Sequence, residues 1–259
     1  MKARLNIISD ALLDGYKQNV SESLQERFEA LRDAEISTAD FDFCTSVAAV
    51  FSSKIEGEEI ELDSYVKHKR FGVEFQPDYT KKIDDLYNAF LFAQQSALNR
   101  ENLEKAHAIL TKNILAEYQQ GVLRKQNMYV TTPDGKIEYV AASPFELETE
   151  MQKFYSDLET LLSAPLNLKE AFFFAAMLHL VFVKIHPFND GNGRTARLLE
   201  KWFLAKKAGD KAWYVQSEKH DYEQHKTYYN NLRALGVEYE KLDYSGAMPF
   251  LLMLSQSLE

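Results

Sequence analysis

The chain has 259 residues, of which 46% are hydrophobic and 13% aromatic, so it is long enough for one or two compact domains with a sizeable core. Its net charge of -9, from 30 basic and 39 acidic residues, argues against a broad nucleic-acid-binding surface. The single cysteine, Cys44, excludes an intrachain disulfide, and we expect it to be a buried apolar residue in a reducing compartment.

Two stretches of the chain argue against a secreted or membrane-spanning protein. The N-terminal residues 1–19 carry early charge and lack the unbroken apolar segment of a secretory signal. The most apolar run, AFFFAAMLHLVFV at 171–183, is too short to cross a bilayer. We therefore expect a soluble, cytoplasmic protein that binds neither membranes nor nucleic acid.

Apolar residues recur at helical spacing along most of the chain. Residues from about 5 to 34 contain amphipathic stretches, and Ser37 with Thr38 resembles a helix start. The residues that follow predict a helix over about 38–57, which Gly57 would end. Asn167 and Glu170 have the spacing of a capping box. Further helices are predicted at 79–98, 103–115, from 167 to about 185, from about 193 to 207, and within 221–235 and 246–258.

One segment has a different pattern. The stretch MYVTTPDGKIEYV, at 128–140, has β-favouring flanks around Pro133, Asp134 and Gly135. This arrangement predicts a β-hairpin with a turn at its centre. The chain is therefore predicted to be mainly α-helical with one hairpin.

The stretch HPFNDGNGRTAR, at 186–197, joins two predicted helices and concentrates reactive residue types. Pro187 prevents simple continuation of the first helix, and Gly191 and Gly193 permit a tight turn that approaches a ligand closely. The free N–H groups at the start of the second helix favour an anion. This loop is thus a candidate phosphate-binding site.

The charged residues of the same loop suit a polyphosphate. Arg194 and Arg197 are three residues apart, so they share one helix face near its positive end. Asp190 can supply carboxylate oxygen to Mg²⁺, and His186 can accept a proton near neutral pH. Each of these residues alone is more often structural, and only their combination favours a polyphosphate-binding site. His179, inside the apolar helix, is interpreted as a core histidine.

This stretch resembles the signature of the Fic family, His-x-Phe-x-Asp/Glu-Gly-Asn-Gly-Arg-x-x-Arg. Every specified position is matched, by His186, Phe188, Asp190, Gly191, Asn192, Gly193, Arg194 and Arg197. The resemblance extends over roughly 40–235. It includes 103–115, which is similar to the helix before the family's hairpin, and GVLR at 121–124, which is similar to its Gly-x-x-Arg segment.

The resemblance implies a Fic-type helical bundle with one β-hairpin, the flap, at 128–140. It divides the chain into an N-terminal helical region at 1–95, a catalytic core at 96–236 and a C-terminal helical tail at 237–259. The flap would hold a target protein's segment by strand-like pairing through Tyr129, Val130 and Thr131.

The activity that the resemblance implies is transfer of AMP from ATP to a Tyr, Ser or Thr hydroxyl of a target protein. His186 would be the base and Phe188 would anchor the loop. The nucleotide would be bound by Asp190 through Mg²⁺, by an anion hole of Gly191, Asn192 and Gly193, by Arg194 at the β-phosphate and by Arg197 at the γ-phosphate. Tyr228 and Tyr229 are candidates for the wall of an adenine pocket.

A run of acidic residues, Glu56, Glu58 and Glu59, lies at the predicted end of the helix over 38–57, where negative charge is unfavourable. With Ser52 and Gly57, Glu56 resembles the family's inhibitory motif, Ser/Thr-x-x-x-Glu-Gly/Asn. The resemblance implies that Glu56 pairs with Arg197, blocks the γ-phosphate and represses the enzyme.

Several alternatives stay open on the sequence. In some relatives the inhibitory glutamate orients a water that removes AMP, so de-AMPylation could be the main reaction. The transferred group could be UMP, phosphate or phosphocholine, or the site could belong to a non-catalytic nucleotide-binding module. The target protein is unidentified; it could be the chain itself, and a homodimer is possible.

Overall fold

The computed structural model describes residues 5–38, 42–75, 80–131 and 137–259. These parts of the chain are mainly helical. The α-helices are α1 (Leu13–Asn19), α2 (Leu24–Ala30), α3 (Phe43–Ile55), α4 (Leu62–Phe71), α5 (Lys81–Gln95), α6 (Arg100–Leu110), α7 (Leu147–Ser163), α8 (Leu168–Ile185), α9 (Asn192–Ala208), α10 (Ser217–Glu223), α11 (His225–Arg233) and α12 (Met248–Gln256). Short 3-10 helices span Glu117–Gln119, Asp210–Tyr214, Tyr239–Lys241 and Tyr244–Ala247.

Helix α8 forms the centre of the core. It begins with the predicted capping box, in which the Asn167 side chain accepts from the Glu170 amide and the Glu170 carboxylate accepts from the Asn167 amide, each at 3.0 Å. Every residue from 171 to 185 is buried, because α1, α7, α9 and α12 pack around the helix. The unbroken apolar run therefore reflects burial of the helix on all sides.

Helix α3 lies against α5 and α10 and ends as predicted, with Gly57 in a left-handed conformation at φ 89°. Its predicted start at Ser37 and Thr38 is wrong. The helix begins at Phe43, because the Asp42 carboxylate accepts a 2.8 Å hydrogen bond from the Thr45 amide and caps the first turn.

Other helix boundaries also differ from the predicted ones. Helix α6 starts earlier, at Arg100, because the Asn99 side chain caps it, and it ends at Leu110 instead of continuing to 115. Beyond this end, the backbone amide of Asn113 is held by the Asp85 carboxylate at 2.9 Å. The predicted helix over 221–235 is divided into α10 and α11 at Gln224.

The hairpin consists of β1 (Tyr129–Thr131) and β2 (Ile137–Val140), which pair antiparallel with Tyr129 opposite Val140. The predicted turn residues Pro133, Asp134 and Gly135 lie outside the described residues. On its other edge β2 meets the segment that follows α11, where the Val140 amide donates to the Val237 carbonyl at 2.7 Å. The hairpin is thus fixed to the helical body at its base.

The mainly α-helical class with one hairpin is confirmed. One hydrophobic cluster includes buried residues from all three predicted regions, among them Ile8, Leu178 and Leu254, and the region boundaries stay predictions. Cys44 is buried, as expected. In the described ranges, we find no helix with the length and apolar character that a transmembrane span requires.

Candidate active site

His186 follows the last residue of α8 and has a left-handed backbone, with φ 54° and ψ 61°. Among the described residues it is the one non-glycine residue with a positive φ. This conformation lets the chain leave the helix before Pro187, while the His186 amide still donates to the Phe182 carbonyl at 3.0 Å. A left-handed residue with a side chain costs about 1–2 kcal/mol, so surrounding contacts must hold it.

Arg124 provides the main contacts. Its buried guanidinium donates from Nε to the His186 carbonyl at 2.7 Å and from Nη2 to the Ile185 carbonyl at 3.4 Å. It also donates to the Ala142 carbonyl at 2.5 Å and the Gln126 carbonyl at 2.6 Å, on either side of the hairpin. Arg124 therefore caps the negative end of α8 and connects it to the flap.

We expect Arg124→Ala to lower the free energy of unfolding by about 3 kcal/mol or more, because several buried carbonyls lose their donor. Arg124→Lys should not restore stability, since one ammonium cannot reach the same carbonyls. Thermal unfolding followed by circular dichroism measures the effect. Arg100 is the control: it is partly exposed and paired with Glu104 and Glu148, and its replacement by alanine should cost less than about 1 kcal/mol.

His107, on α6, is a site residue that the sequence reasoning missed. The Gly121 amide donates to its Nδ1 at 2.8 Å, so its proton is on Nε2, which donates to the Asp190 carbonyl at 2.9 Å. Its ring stacks on Phe188 with centroids 3.6 Å apart. Burial lowers the pKa of His107 to about 4, so it is neutral and holds the motif loop in place.

The loop between α8 and α9 requires glycine and asparagine for packing reasons. Gly191 has φ 78°, and a Cβ there would lie 2.7 Å from the Thr111 methyl group. The Asn192 side chain accepts from the Phe188 amide at 2.9 Å and donates to the Phe188 carbonyl at 2.8 Å. Asn192 therefore shapes the loop with its side chain and presents its backbone N–H at the start of α9.

The N-terminus of α9 is suited to an anion. The first backbone hydrogen bond of this helix runs from the Thr195 amide to the Gly191 carbonyl at 2.9 Å, which leaves the amides of 192–194 at its open end. Arg194 is buried, and its Nε has no hydrogen-bond partner in the described part of the chain. A buried guanidinium N–H without an acceptor points to a ligand at this position.

Asp190 is exposed beside this helix end, and its Oδ1 accepts from the Gly191 amide at 2.6 Å. Within the described ranges no group of three or more His, Cys, Asp or Glu side chains could hold a metal ion by itself. A single carboxylate fits Mg²⁺ that takes its other ligands from nucleotide phosphates and water.

The structure brings Arg197 and the end of α3 together across 141 residues of sequence. The Arg197 side chain is 1% exposed; it donates from Nε to the Ser52 hydroxyl at 2.8 Å and from Nη2 to the Ser52 carbonyl at 3.0 Å. Nη2 also meets the Glu56 carboxylate at 2.6 Å. The guanidinium that the resemblance assigns to the γ-phosphate thus contacts Ser52 of α3 and Glu56, which follows that helix.

Glu56 also covers the start of α9. A Cβ added to Gly193 would lie 2.5 Å from Glu56 Oε1, so the carboxylate rests on this glycine. Burial alone would raise the pKa of Glu56, but Arg197 and Arg194 outweigh it and lower that pKa. Glu58 adds a second carboxylate, 2.7 Å from Lys82 and 3.7 Å from Arg194.

The two candidate adenine residues have different environments. Tyr228 is 2% exposed; its hydroxyl is 3.0 Å from His179 Nε2 and 3.5 Å from Arg197 Nη1. It supports Arg197 from the core, and His179, buried as predicted, joins it to Glu200 at 2.9 Å. Tyr229 is half-buried, so of the pair it has the surface for a base, and that contact stays a prediction.

The His186 ring contacts the protein through one of its two nitrogens. Its Nδ1 is 2.6 Å from the Tyr139 hydroxyl and 3.2 Å from the Val183 carbonyl, which leaves Nε2 for a substrate. Burial lowers the pKa of His186 to about 4, so the imidazole is neutral at pH 7. On the flap above, Tyr129 is exposed and Val130 half-buried, and the Thr131 side chain is not described.

Comparisons with known proteins agree with this geometry. Residues 97–204 match the Fic/DOC family. A protein adenylyltransferase Fic from Nematostella vectensis is 38% identical over 85 residues, which are 33% of this chain and 19% of the relative. One from Aedes aegypti is 25% identical over 223 residues, 76% of this chain and 42% of the relative. The chain thus spans less than half the length of these relatives.

A uridine 5'-monophosphate transferase from Xanthomonas campestris is 38% identical over 87 residues, 32% of this chain and 16% of the relative. Among solved structures, a Fic family protein from Desulfovibrio desulfuricans superposes with a TM-score of 0.73 at 17% identity, covering 99% of this chain and 74% of that one. A Fic domain protein from Bacteroides thetaiotaomicron gives 0.67 at 17% identity, covering 95% and 91%. The chain thus contains a Fic/DOC family domain, matched over residues 97–204, and shares its fold with these Fic proteins.

Proposed function

We propose that the protein is a protein adenylyltransferase that Glu56 keeps inactive. The observation that carries the proposal is a neutral, half-buried His186 beside an open helix N-terminus whose two arginines are both buried. A site that only binds nucleotide needs no base. The relatives named protein adenylyltransferase support the same reaction class.

The chemistry follows from the arrangement of these groups. His186 Nε2 takes the proton of a target hydroxyl, whose oxygen bonds to the α-phosphorus of ATP as the bond to the β-phosphate breaks. AMP is thereby joined to the target and pyrophosphate leaves. The amides of 192–194 and Arg194 stabilise the charge on the phosphates. Mg²⁺ held by Asp190 would neutralise phosphate charge when bound.

Repression follows from the contacts of Arg197. Its hydrogen-bonding groups face Ser52 and Glu56, so a γ-phosphate at this arginine competes with the Glu56 carboxylate. Both are anions, and the two cannot accept at once from the same N–H of the buried Arg197 guanidinium. ATP then binds with its phosphates displaced from the geometry that in-line attack requires.

The reaction class can be tested with the purified Glu56→Gly variant, alone and in a cell lysate. Protein label is expected from ATP radiolabelled on the α-phosphorus and not from ATP radiolabelled on the γ-phosphorus. Label from the γ-phosphorus would indicate phosphate transfer instead. Binding of ATP without label from either nucleotide would support a non-catalytic module. Self-labelling would identify the chain as its own target.

UMP transfer is a second candidate, because the Xanthomonas campestris relative named for that reaction is as similar over its matched segment as the Nematostella vectensis one. Tyr229 is the half-buried aromatic beside Arg197 that could distinguish the bases. Competition of unlabelled UTP against α-labelled ATP decides between the two. We expect excess UTP to leave labelling unchanged.

The pH dependence of the released enzyme follows from His186. Since the neutral imidazole is the active form and burial holds its pKa at about 4, kcat/KM of Glu56→Gly should stay flat between about pH 6 and 8. The negative charge of Glu56 favours protonation of His186. The pKa of His186 in Glu56→Gly is therefore expected to be no higher than in the wild type. Initial rates at each pH measure this dependence. A fall in kcat/KM on acidification with a midpoint near pH 6.5 would contradict the prediction.

A further inference from the structure

Tyr139, on the returning strand β2, contacts the base directly. Its hydroxyl oxygen lies 2.6 Å from His186 Nδ1 and 3.1 Å from the Val183 carbonyl oxygen. The two rings meet edge to face at 5.7 Å, and the Lys184 ammonium lies 4.6 Å from the centre of the tyrosine ring. Tyr139 is 7% exposed, so these contacts fix its ring inside the protein.

The Val183 carbonyl needs a donor from a side chain. In an α-helix it would accept from the amide four residues later, but that residue is Pro187, which has no N–H. The His186 amide is already bonded to Phe182 at 3.0 Å. The Tyr139 hydroxyl, at 3.1 Å, and His186 Nδ1, at 3.2 Å, are in a position to replace the missing donor.

The Tyr139 hydroxyl, His186 Nδ1 and the Val183 carbonyl can form hydrogen bonds in two arrangements, which differ in where the protons lie. If the Tyr139 hydroxyl donates to Val183, its oxygen can accept only from a protonated His186 Nδ1, and all three groups are satisfied. If the hydroxyl donates to Nδ1, that nitrogen carries no proton, and the buried Val183 carbonyl receives neither donor. An unpaired buried carbonyl is unfavourable, so the first arrangement is favoured. It leaves Nε2 without a proton.

We propose that Tyr139 is a positioning residue that holds His186 with its proton on Nδ1, and that it makes the base depend on a correctly placed flap. The catalytic part of this proposal rests on the proposed function, since an unprotonated Nε2 affects catalysis only if His186 accepts a proton. Val130, a candidate target-binding residue, pairs with Tyr139 across the hairpin. The strand pair that would align a target thus also orients the base.

The hydrogen-bond arrangement can be tested by NMR of protein labelled with ¹⁵N-histidine, without any turnover. The His186 signal is identified by its loss in His186→Ala. We expect the wild type to carry its proton on Nδ1 with a strongly downfield resonance, as a 2.6 Å contact implies, and Tyr139→Phe to move that resonance upfield. A proton on Nε2 in the wild type, or an unmoved resonance in Tyr139→Phe, would overturn the proposal.

Activity provides the second readout. In the Glu56→Gly background, Tyr139→Phe should lower kcat about tenfold with an unchanged KM for ATP, the scale of one lost hydrogen bond. Tyr155→Phe is the control, because that buried hydroxyl has no hydrogen-bond partner in the described ranges and lies outside the motif. An unchanged kcat in Tyr139→Phe would refute the proposal. If Glu56→Gly itself transfers nothing, the proposed function fails while the NMR result still decides the role of Tyr139.

Discussion

Replacing Glu56 with glycine is expected to raise the rate of AMP incorporation about a hundredfold. The carboxylate accepts from Arg197 at 2.6 Å and rests on Gly193, so its removal frees a buried guanidinium and the start of α9 together. Removing the partly exposed Glu56 leaves the buried Arg197 charge without its carboxylate partner, which involves roughly 3 kcal/mol, or about two orders of magnitude in an equilibrium. Intact-mass analysis after incubation with Mg²⁺ and ATP measures the adduct.

Glu59→Gly is the matched control for this release. Glu59 is an exposed glutamate three residues further along the same acidic run, and it should leave the wild-type rate unchanged. Thermal shifts test the binding step separately. Glu56→Gly should unfold at a lower temperature than the wild type without nucleotide and gain more stability from ATP. Equal labelling by wild type and Glu56→Gly would remove Glu56 from any inhibitory role.

His186→Ala, introduced into Glu56→Gly, is expected to lower the rate of transfer by roughly a hundredfold to ten-thousandfold, the range for loss of a general base. ATP binding should persist, because the helix end and both arginines are intact. A retained thermal shift with ATP, together with the lowered rate of labelling, would separate catalysis from binding.

His220→Ala serves as the control, since His220 is a half-buried histidine of α10 outside the motif. Introduced into Glu56→Gly, it should label as well as Glu56→Gly alone. Full transfer by the His186→Ala variant would show that another group, or water alone, accepts the proton. The assignment of His186 as the base would then be wrong.

The sequence determined the local features of the site because each depends on near neighbours. Helical spacing predicted α8 and α9, and the β-favouring flanks at 128–140 predicted the hairpin. The left-handed Gly57 and the capping box of α8 follow from residues within one helical turn. The signature loop gave the family and its expected roles through the resemblance of its residues.

Some boundaries could not be predicted, because competing caps are equally plausible in sequence. Ser37 with Thr38 and Asp42 are both typical helix starts, and the structure uses Asp42. Likewise, the helical pattern of 103–115 continues past Leu110, but packing of the following turn against Asp85 ends the helix there.

Only the tertiary structure decided which distant groups support the chemistry. Arg124 and His186 are 62 residues apart, and Tyr139 and His186 are 47 apart, so no local pattern relates them. In the sequence, nothing distinguishes His107 from the other residues on the apolar face of α6. Its role appears only in the structure, where it lies between Gly121 and Asp190. These contacts form because α8 is buried and the base of the hairpin packs against it. The free energy of that packing depends on the whole core. Local periodicity and turn chemistry therefore determined the elements and the loop, while packing of the core set the conformation and hydrogen bonding of the base.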